Sequence, residues 1–146
     1  MSQFLLKNLL LVDDSFPTNL LHRKIIKNTQ EVKCIHTANN GIEALDFLTR
    51  KGKFKDITNY PEVILLDINM PKMNGFQFLD KYTSYQKDHN LDIMIVVLTT
   101  SSWENDKEKA YQNPFVHAYM EKPLDKEKIH RIIKDYTNQQ VNNMIS

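Results

Sequence analysis

Asp13 and Asp14, Asp67 and Lys122 each stand directly after a short, largely apolar run of this sequence, and Thr99 closes another such run. Apolar runs of this length, bounded by turn residues, indicate strands that are buried on both faces. The carboxyl ends of parallel strands meet at one edge of a sheet, where open α/β folds bind ligands. We therefore expect these five side chains to converge at that edge.

Three carboxylates in one pocket require a cation, and oxygen ligands alone favour Mg²⁺ or Mn²⁺. Lys122 would offer a point charge to a phosphate oxygen, and Thr99 would offer a hydroxyl donor. A carboxylate can accept a phosphoryl group and form an aspartyl phosphate, and Asp67 is the candidate nucleophile. The competing interpretation is that Asp67 only terminates a strand or caps a helix. The sequence gives no sign of an organic cofactor.

The elements that must position these residues alternate between strand and helix five times, with short connections. This alternation predicts an α/β fold, a doubly wound parallel sheet covered by helices on both faces. A strand order of 2-1-3-4-5 would place the first and third strands side by side. The three acids would then be neighbours, with the hydroxyl and the ammonium group around them.

The first helix carries the most detailed local expectations. Ser15 is suited to cap its N-terminus, and Pro17 fits its first turn. The helical spacing predicts that one apolar face is formed by Leu20, Leu21, Ile25 and Ile26. His22 is expected to point outward.

Three further expectations concern other elements. Cys34 lies in the predicted second strand and is expected to be a buried apolar residue. Residues 99–102 place four hydroxyls at the expected sheet edge, and the alternative to a role in the pocket is that they cap the helix that begins at Glu104. The amide-rich segment 138–146 is expected to fray as a flexible tail.

Composition narrows the class of protein. The 146 residues suit a single domain, and 19 basic against 18 acidic side chains argue against direct nucleic-acid binding. No apolar stretch is long enough to cross a membrane, so no membrane partner is expected. The single cysteine permits no internal disulfide and fits a reduced, cytoplasmic setting.

Taken together, the motifs resemble those of receiver domains, the phosphoacceptor modules of two-component response regulators. The resemblance covers about residues 6–137 and suggests one receiver domain over 1–146, of the flavodoxin-like (βα)5 type. It rests on motifs that occur in order at compatible spacing: Asp13-Asp14, Asn40-Gly41-Ile42-Glu43-Ala44-Leu45, Asp67-Ile68-Asn69-Met70-Pro71, Gly75, Leu98-Thr99 and Glu121-Lys122-Pro123.

The resemblance implies a role for each site residue. Asp67 would take the phosphoryl group, and Thr99 and Lys122 would hold its oxygens. Asp14 and Asp67 would bind Mg²⁺ together with the backbone carbonyl of Asn69. Asp13 would act largely through a metal-bound water. The Lys122–Pro123 peptide bond is expected to be cis.

The resemblance also implies a signalling protein rather than an enzyme with a separate substrate. A sensor histidine kinase or phosphotransfer protein would supply the phosphoryl group. Thr99 and Tyr119 would then move and reshape the surface of the fourth helix, fifth strand and fifth helix for a downstream protein partner. A homodimer through this surface is a further hypothesis. No output domain follows, so the chain resembles stand-alone, chemotaxis-like regulators, and its long 50–61 loop resembles that of regulators paired with phytochrome-type kinases.

Three alternatives remain at this stage. A constitutive binding module would keep the fold with a vestigial pocket, although none of the acids nor the lysine is missing here. A phosphatase with an aspartyl nucleophile needs a second acid two residues later, where this chain has Asn69. A flavin-binding protein of similar fold needs hydroxyls and backbone amides after the first strand, where this chain has acids.

Overall fold

The computed structural model describes residues 4–145, which form a parallel sheet with helices on both faces. The strands are β1 Leu6–Val12, β2 Val32–Ala38, β3 Val63–Leu66, β4 Met94–Thr99 and β5 Val116–Glu121. The helices are α1 Phe16–Asn28, α2 Gly41–Thr49, α3 Gly75–His89, α4 Glu104–Tyr111 and α5 Lys126–Ile145. A single 3₁₀ turn, Gly52–Phe54, interrupts the loop between α2 and β3.

The order of the strands across the sheet is β2-β1-β3-β4-β5, and every neighbouring pair is parallel. The predicted α/β, flavodoxin-like fold and strand order are therefore confirmed. Strands β1, β3 and β4 lie in the interior of the sheet, and their near-continuous apolar sequences follow from burial on both faces. These strands deliver their C-terminal residues to one edge.

Two separate apolar clusters pack on the two faces of the sheet. The first joins α2, α3 and α4 to one face, and Phe47, Phe78 and Tyr82 are its largest buried side chains. The second joins α1 and α5 to the other face, with Ile26 and Ile132 at its centre. None of the helices between residues 4 and 145 has the length and apolar character needed to cross a bilayer.

Helix α1 begins as predicted but presents a different face to the core. The Ser15 hydroxyl accepts a hydrogen bond from the N–H group of Thr18, which confirms the cap. The predicted apolar face is confirmed for Ile26, which is buried, and for Ile25, which packs against the core. It was wrong for Leu20 and Leu21, which are more than half exposed, and His22 is buried rather than pointing outward. The N-terminal half of α1 lies beside the polar edge of the sheet, where the Asn19 amide nitrogen donates to the Asp13 carbonyl at 2.8 Å.

Two predictions about the edge strand β2 and the C-terminal segment were also wrong. Cys34 is exposed, and its strand, β2, lies at the edge of the sheet. Helix α5 continues through Ile145, so residues 138–145 are helical instead of frayed. Residues 138–145 contain no Gly or Pro to stop a helix, so the Asn and Gln residues of this segment continue it. Ser146 lies outside the described residues.

Candidate metal centre

Asp13 and Asp67 are brought together by the pairing of their strands. Val12 of β1 pairs with Leu66 of β3, so the next residue of each strand stands at the same level of the sheet edge. The N–H group of Asp67 donates to the carbonyl of Val12 at 2.9 Å, which continues the ladder one residue beyond the strands. Both side chains are buried.

Lys122 reaches this pair from the other side. Thr99 pairs with Glu121, and the Lys122 N–H group donates to the Thr99 carbonyl at 2.8 Å. From there the Lys122 Nζ atom contacts the Asp13 carboxylate and lies 3.3 Å from Oδ2 of Asp67. One ammonium group therefore bridges two buried carboxylates, and the expected convergence is present for these residues.

Asp14 completes the acidic group. A carboxylate oxygen from each of Asp13, Asp14 and Asp67 lies within 4.8 Å of the other two. Asp14 is exposed, and within residues 4–145 its carboxylate has no hydrogen-bonding or ion-pair partner. Asp13 is held more firmly, because its Oδ1 atom accepts from the Ser15 N–H group at 2.9 Å.

The surroundings of Asp67 disfavour its charge. Burial raises the pKa of this carboxyl above its ordinary value, and the neighbouring Asp13 acts in the same direction. The Lys122 ammonium and a 3.3 Å hydrogen bond from the Asn69 N–H group oppose the rise in pKa. The pocket therefore has more negative charge than its one ammonium group balances.

The donor set fits a hard divalent cation. It consists of carboxylate oxygens without any thiolate or imidazole, which is the chemistry that Mg²⁺ and Mn²⁺ prefer. Exposed Asp14 leaves the pocket open to solvent on one side, as an ion that keeps several waters requires. The residues present are thus suited to a magnesium-type ion, and among residues 4–145 no other group of three acids, histidines or cysteines comes together in this way.

The loop after Asp67 is held by close contact with α3. Asn74 and Gln77 form a reciprocal capping box at the start of α3, and the Gly75 N–H group donates to the Ile68 carbonyl at 3.1 Å. A Cβ atom at Gly75 would lie 2.6 Å from the Asp67 carbonyl oxygen and 2.7 Å from the Cα atom of Ile68. Glycine is needed here because both contacts are with backbone atoms.

We expect Gly75→Ala to lower the free energy of unfolding by about 2 kcal/mol, because the added methyl group overpacks a site that cannot yield. Urea denaturation of the metal-free protein measures the change. Ser84→Ala, at an exposed position of α3, is the control and should stay close to wild type. Equal stability of all three proteins would show that the Asp67 loop is not packed as tightly as described.

Ser101 makes most of the hydrogen bonds of the β4–α4 loop. Its N–H group donates to the buried Thr99 hydroxyl at 3.3 Å, and its carbonyl accepts from the Tyr119 phenol at 2.7 Å. The Ser101 hydroxyl donates to Asp106 at 2.8 Å and accepts from the Trp103 N–H group at 3.3 Å. This loop thus links Thr99, whose carbonyl accepts from the Lys122 N–H group, to Tyr119 of the edge strand.

The alternative that the hydroxyls of residues 99–102 cap α4 was wrong. Trp103 occupies the N-cap position and makes no side-chain cap, although Ser101 bonds to Asp106 in the first turn. The Lys122–Pro123 bond is cis, as expected.

The sequence interpretation missed Asn19, whose amide nitrogen donates to the Asp13 carbonyl at 2.8 Å. Its available signal was the spacing of Asn19, His22 and Ile26 on one helical face.

Comparison with known families gives a match over most of the chain. Residues 9–134 match the model of the response regulator receiver domain. The probable methanogenesis regulatory protein FilR2 of Methanothrix harundinacea is 30% identical over 128 residues, which cover 87% of this chain and 79% of FilR2. Other curated relatives are much longer. This chain covers only 18% of a protein-glutamate methylesterase of Burkholderia thailandensis and 14% of the sensor histidine kinase CheAY of Helicobacter pylori.

The response regulator Rcp1 of Synechocystis sp. is 29% identical over 88% of this chain and 84% of its own length. Its Mn²⁺-bound structure superposes with a TM-score of 0.69, at 28% identity, over 88% of this chain and 90% of that one. The bacteriophytochrome response regulator RtBRR has a TM-score of 0.76 and 32% identity, over 90% and 78% of the two chains. The chain is therefore similar to phytochrome-associated response regulators in both sequence and fold.

Proposed function

This chain belongs to the response regulator receiver domain family, and from that premise we propose that Asp67 accepts a phosphoryl group from a histidine kinase or phosphotransfer protein. The observation that carries the proposal is the meeting of three carboxylates within 4.8 Å, with the Lys122 ammonium bridging two of them. A two-component phosphoacceptor role follows from the family. The assignment to Asp67 is our own.

The proposed transfer uses the side chains in distinct ways. One carboxylate oxygen of Asp67 forms a bond to phosphorus, while the bond between phosphorus and the kinase histidine nitrogen breaks and its electrons return to that nitrogen. Lys122 moves from the carboxylates to a phosphoryl oxygen, and the Thr99 hydroxyl donates to another. Hydrolysis of the resulting acyl phosphate returns Asp67 to its original state.

Asp13, Asp14, Asp67 and the backbone carbonyl of Asn69 are the proposed holders of a Mg²⁺ or Mn²⁺ ion. When bound, the ion neutralises negative charge on the phosphoryl oxygens. Support comes from the oxygen-only donor set and from the Mn²⁺-bound structure of Rcp1. In the metal-free protein, Lys122 supplies part of the missing positive charge, since it contacts two of the acids.

We propose that this chain acts by switching a surface rather than by turning over a separate substrate. Asn69 occupies the position where an aspartyl phosphatase needs a second acid, and an amide can neither give nor take the required proton. The switching surface comprises α4, β5 and α5, and Thr99, Ser101 and Tyr119 form its link to the pocket. The kinase is proposed to be of the phytochrome type, and a downstream protein is proposed to bind the switched surface.

A hydrogen bond between α4 and β5 allows this switching to be tested. The Tyr119 N–H group donates to the Tyr111 phenol at 3.0 Å and so holds α4 against the open edge of β5. We propose that this bond breaks when α4 shifts. Tyr111→Phe should then destabilise only the starting state and tighten the binding of beryllofluoride with Mg²⁺, a phosphoryl mimic, about fivefold.

Fluorescence of Trp103, the one tryptophan of the chain, reports this titration because it lies at the start of α4. Tyr60→Phe is the control. It also removes one phenol oxygen, but that oxygen is hydrogen-bonded to the Tyr85 phenol of α3 and not to β5. Unchanged or weaker beryllofluoride binding by Tyr111→Phe would contradict the proposed movement of α4.

The proposed metal-dependent phosphorylation is tested by exposing the protein to acetyl phosphate with Mg²⁺ or with excess chelator. Intact-protein mass should show the gain of one phosphoryl group with Mg²⁺ only. Asp14→Asn should lose most of this gain, because it removes the one carboxylate of the proposed ligand set that is exposed to solvent. If phosphorylation is equally fast with chelator, or in Asp14→Asn, the proposed reaction does not depend on a metal ion.

A further inference from the structure

Asn19 occupies an unusual position beside the acidic group. It lies on α1 with only 5% of its surface exposed, and its Nδ2 atom donates to the backbone carbonyl of Asp13 at 2.8 Å. That carbonyl belongs to the peptide group that joins Asp13 to Asp14. Asn19 therefore holds the orientation of the peptide group from which the exposed Asp14 side chain projects.

The two acids differ in how they are fixed. The Asp13 carboxylate is held at both oxygens, by the Ser15 N–H group and by Lys122. The Asp14 carboxylate has no partner within residues 4–145, so only its backbone can fix its direction. The hydrogen bond from Asn19 acts on that backbone directly.

The other half of the Asn19 amide suggests a role beyond packing. Its Oδ1 atom is buried without a hydrogen-bonding partner. Rotating the amide would not help, because the carbonyl of Asp13 can only accept and would then face an oxygen. A buried oxygen without a partner is unfavourable for folding, so an asparagine selected for stability alone would be a poor choice at this position.

We propose that Asn19 is a positioning residue that orients Asp14 toward the divalent cation. The inference rests on the proposed function, because it needs the cation to bind between Asp14 and Asp67. It extends that function to a helix residue that does not itself touch the ion. Removing a residue that hydrogen-bonds to a metal ligand, without touching the metal itself, commonly lowers metal affinity by about tenfold or more.

Asn19→Leu tests the proposal because it keeps the volume of the side chain and removes both the donor and the buried oxygen. We expect its dissociation constant for Mg²⁺, measured by Trp103 fluorescence, to rise on the order of tenfold. Its urea midpoint in chelator should change little, since the loss of the bond is offset by the loss of the unpartnered oxygen. In Asn19→Ala, a water in the vacated space can donate to the carbonyl, and part of the affinity should return.

Thr29→Val is the matched control, since it removes a hydroxyl bond to the Ile26 carbonyl at the far end of α1. It should bind Mg²⁺ as wild type does. Wild-type affinity in both Asn19 variants, or an equal loss in Thr29→Val, would overturn the positioning role and leave the proposed function intact. A wild-type protein that binds no Mg²⁺ would overturn both.

Discussion

Replacing Lys122 with methionine is expected to lower the free energy of unfolding of the metal-free protein by about 3 kcal/mol. The Lys122 ammonium contacts the buried carboxylate of Asp13 and lies 3.3 Å from that of Asp67. Methionine leaves both acids buried beside each other without a counter-ion. Removal of one partner from a buried ion pair is costly for this reason, and urea denaturation in chelator measures it.

Two comparisons separate this charge effect from simple loss of packing. Lys122→Arg keeps the positive charge and should retain more of the stability than Lys122→Met. Added Mg²⁺ should restore part of the stability of Lys122→Met, because an ion that binds only the folded state stabilises it. If Lys122→Met in chelator unfolds at the same urea concentration as wild type, the ion pair does not stabilise the fold.

Asp67→Asn is expected to abolish phosphorylation and at the same time to stabilise the metal-free protein by about 1 kcal/mol. The amide lacks the nucleophilic oxygen. It also removes a charge that burial and Asp13 disfavour, since the pKa of Asp67 is raised in the folded protein. A carboxyl with a raised pKa contributes stability at low pH that is lost as the pH rises through the folded pKa.

The advantage of Asp67→Asn over wild type should therefore be present at neutral pH and disappear as the pH falls below the ordinary pKa of an aspartate. Urea titrations in chelator at several pH values measure this, and intact mass after treatment with acetyl phosphate measures phosphorylation. Asp88→Asn, at an exposed position of α3, is the control and should be phosphorylated normally. A neutral-pH stability of Asp67→Asn below that of wild type would mean that the Asp67 charge stabilises the fold.

The sequence was sufficient to predict the strand order of the sheet and the convergence of Asp13, Asp67 and Lys122 at its edge. Strand-length apolar runs end at Asp13, Asp67 and Lys122, and parallel pairing then places these residues at one edge. The cis bond before Pro123 and the Ser15 cap also followed from local residue types. These features depend on short-range chemistry and on the chain order of the elements.

What could not be predicted depends on how one element packs against another. The apolar spacing of α1 favoured Leu20 and Leu21 as core residues, but the helix turns Asn19 and His22 inward where the sheet edge is polar. Cys34 is exposed in a strand that lies at the edge of the sheet, and its own residue type did not indicate that position. In each case packing between two elements, rather than the periodicity of one, decides the outcome.

The central claim is that Asp67, among the three clustered acids, carries the phosphoryl group. Borohydride reduces an aspartyl phosphate to homoserine, so treatment of the Mg²⁺- and acetyl phosphate-exposed protein marks the modified residue for peptide mass spectrometry. Our account predicts homoserine at position 67 alone. Homoserine at position 13 or 14, or at none of the three positions, would contradict it.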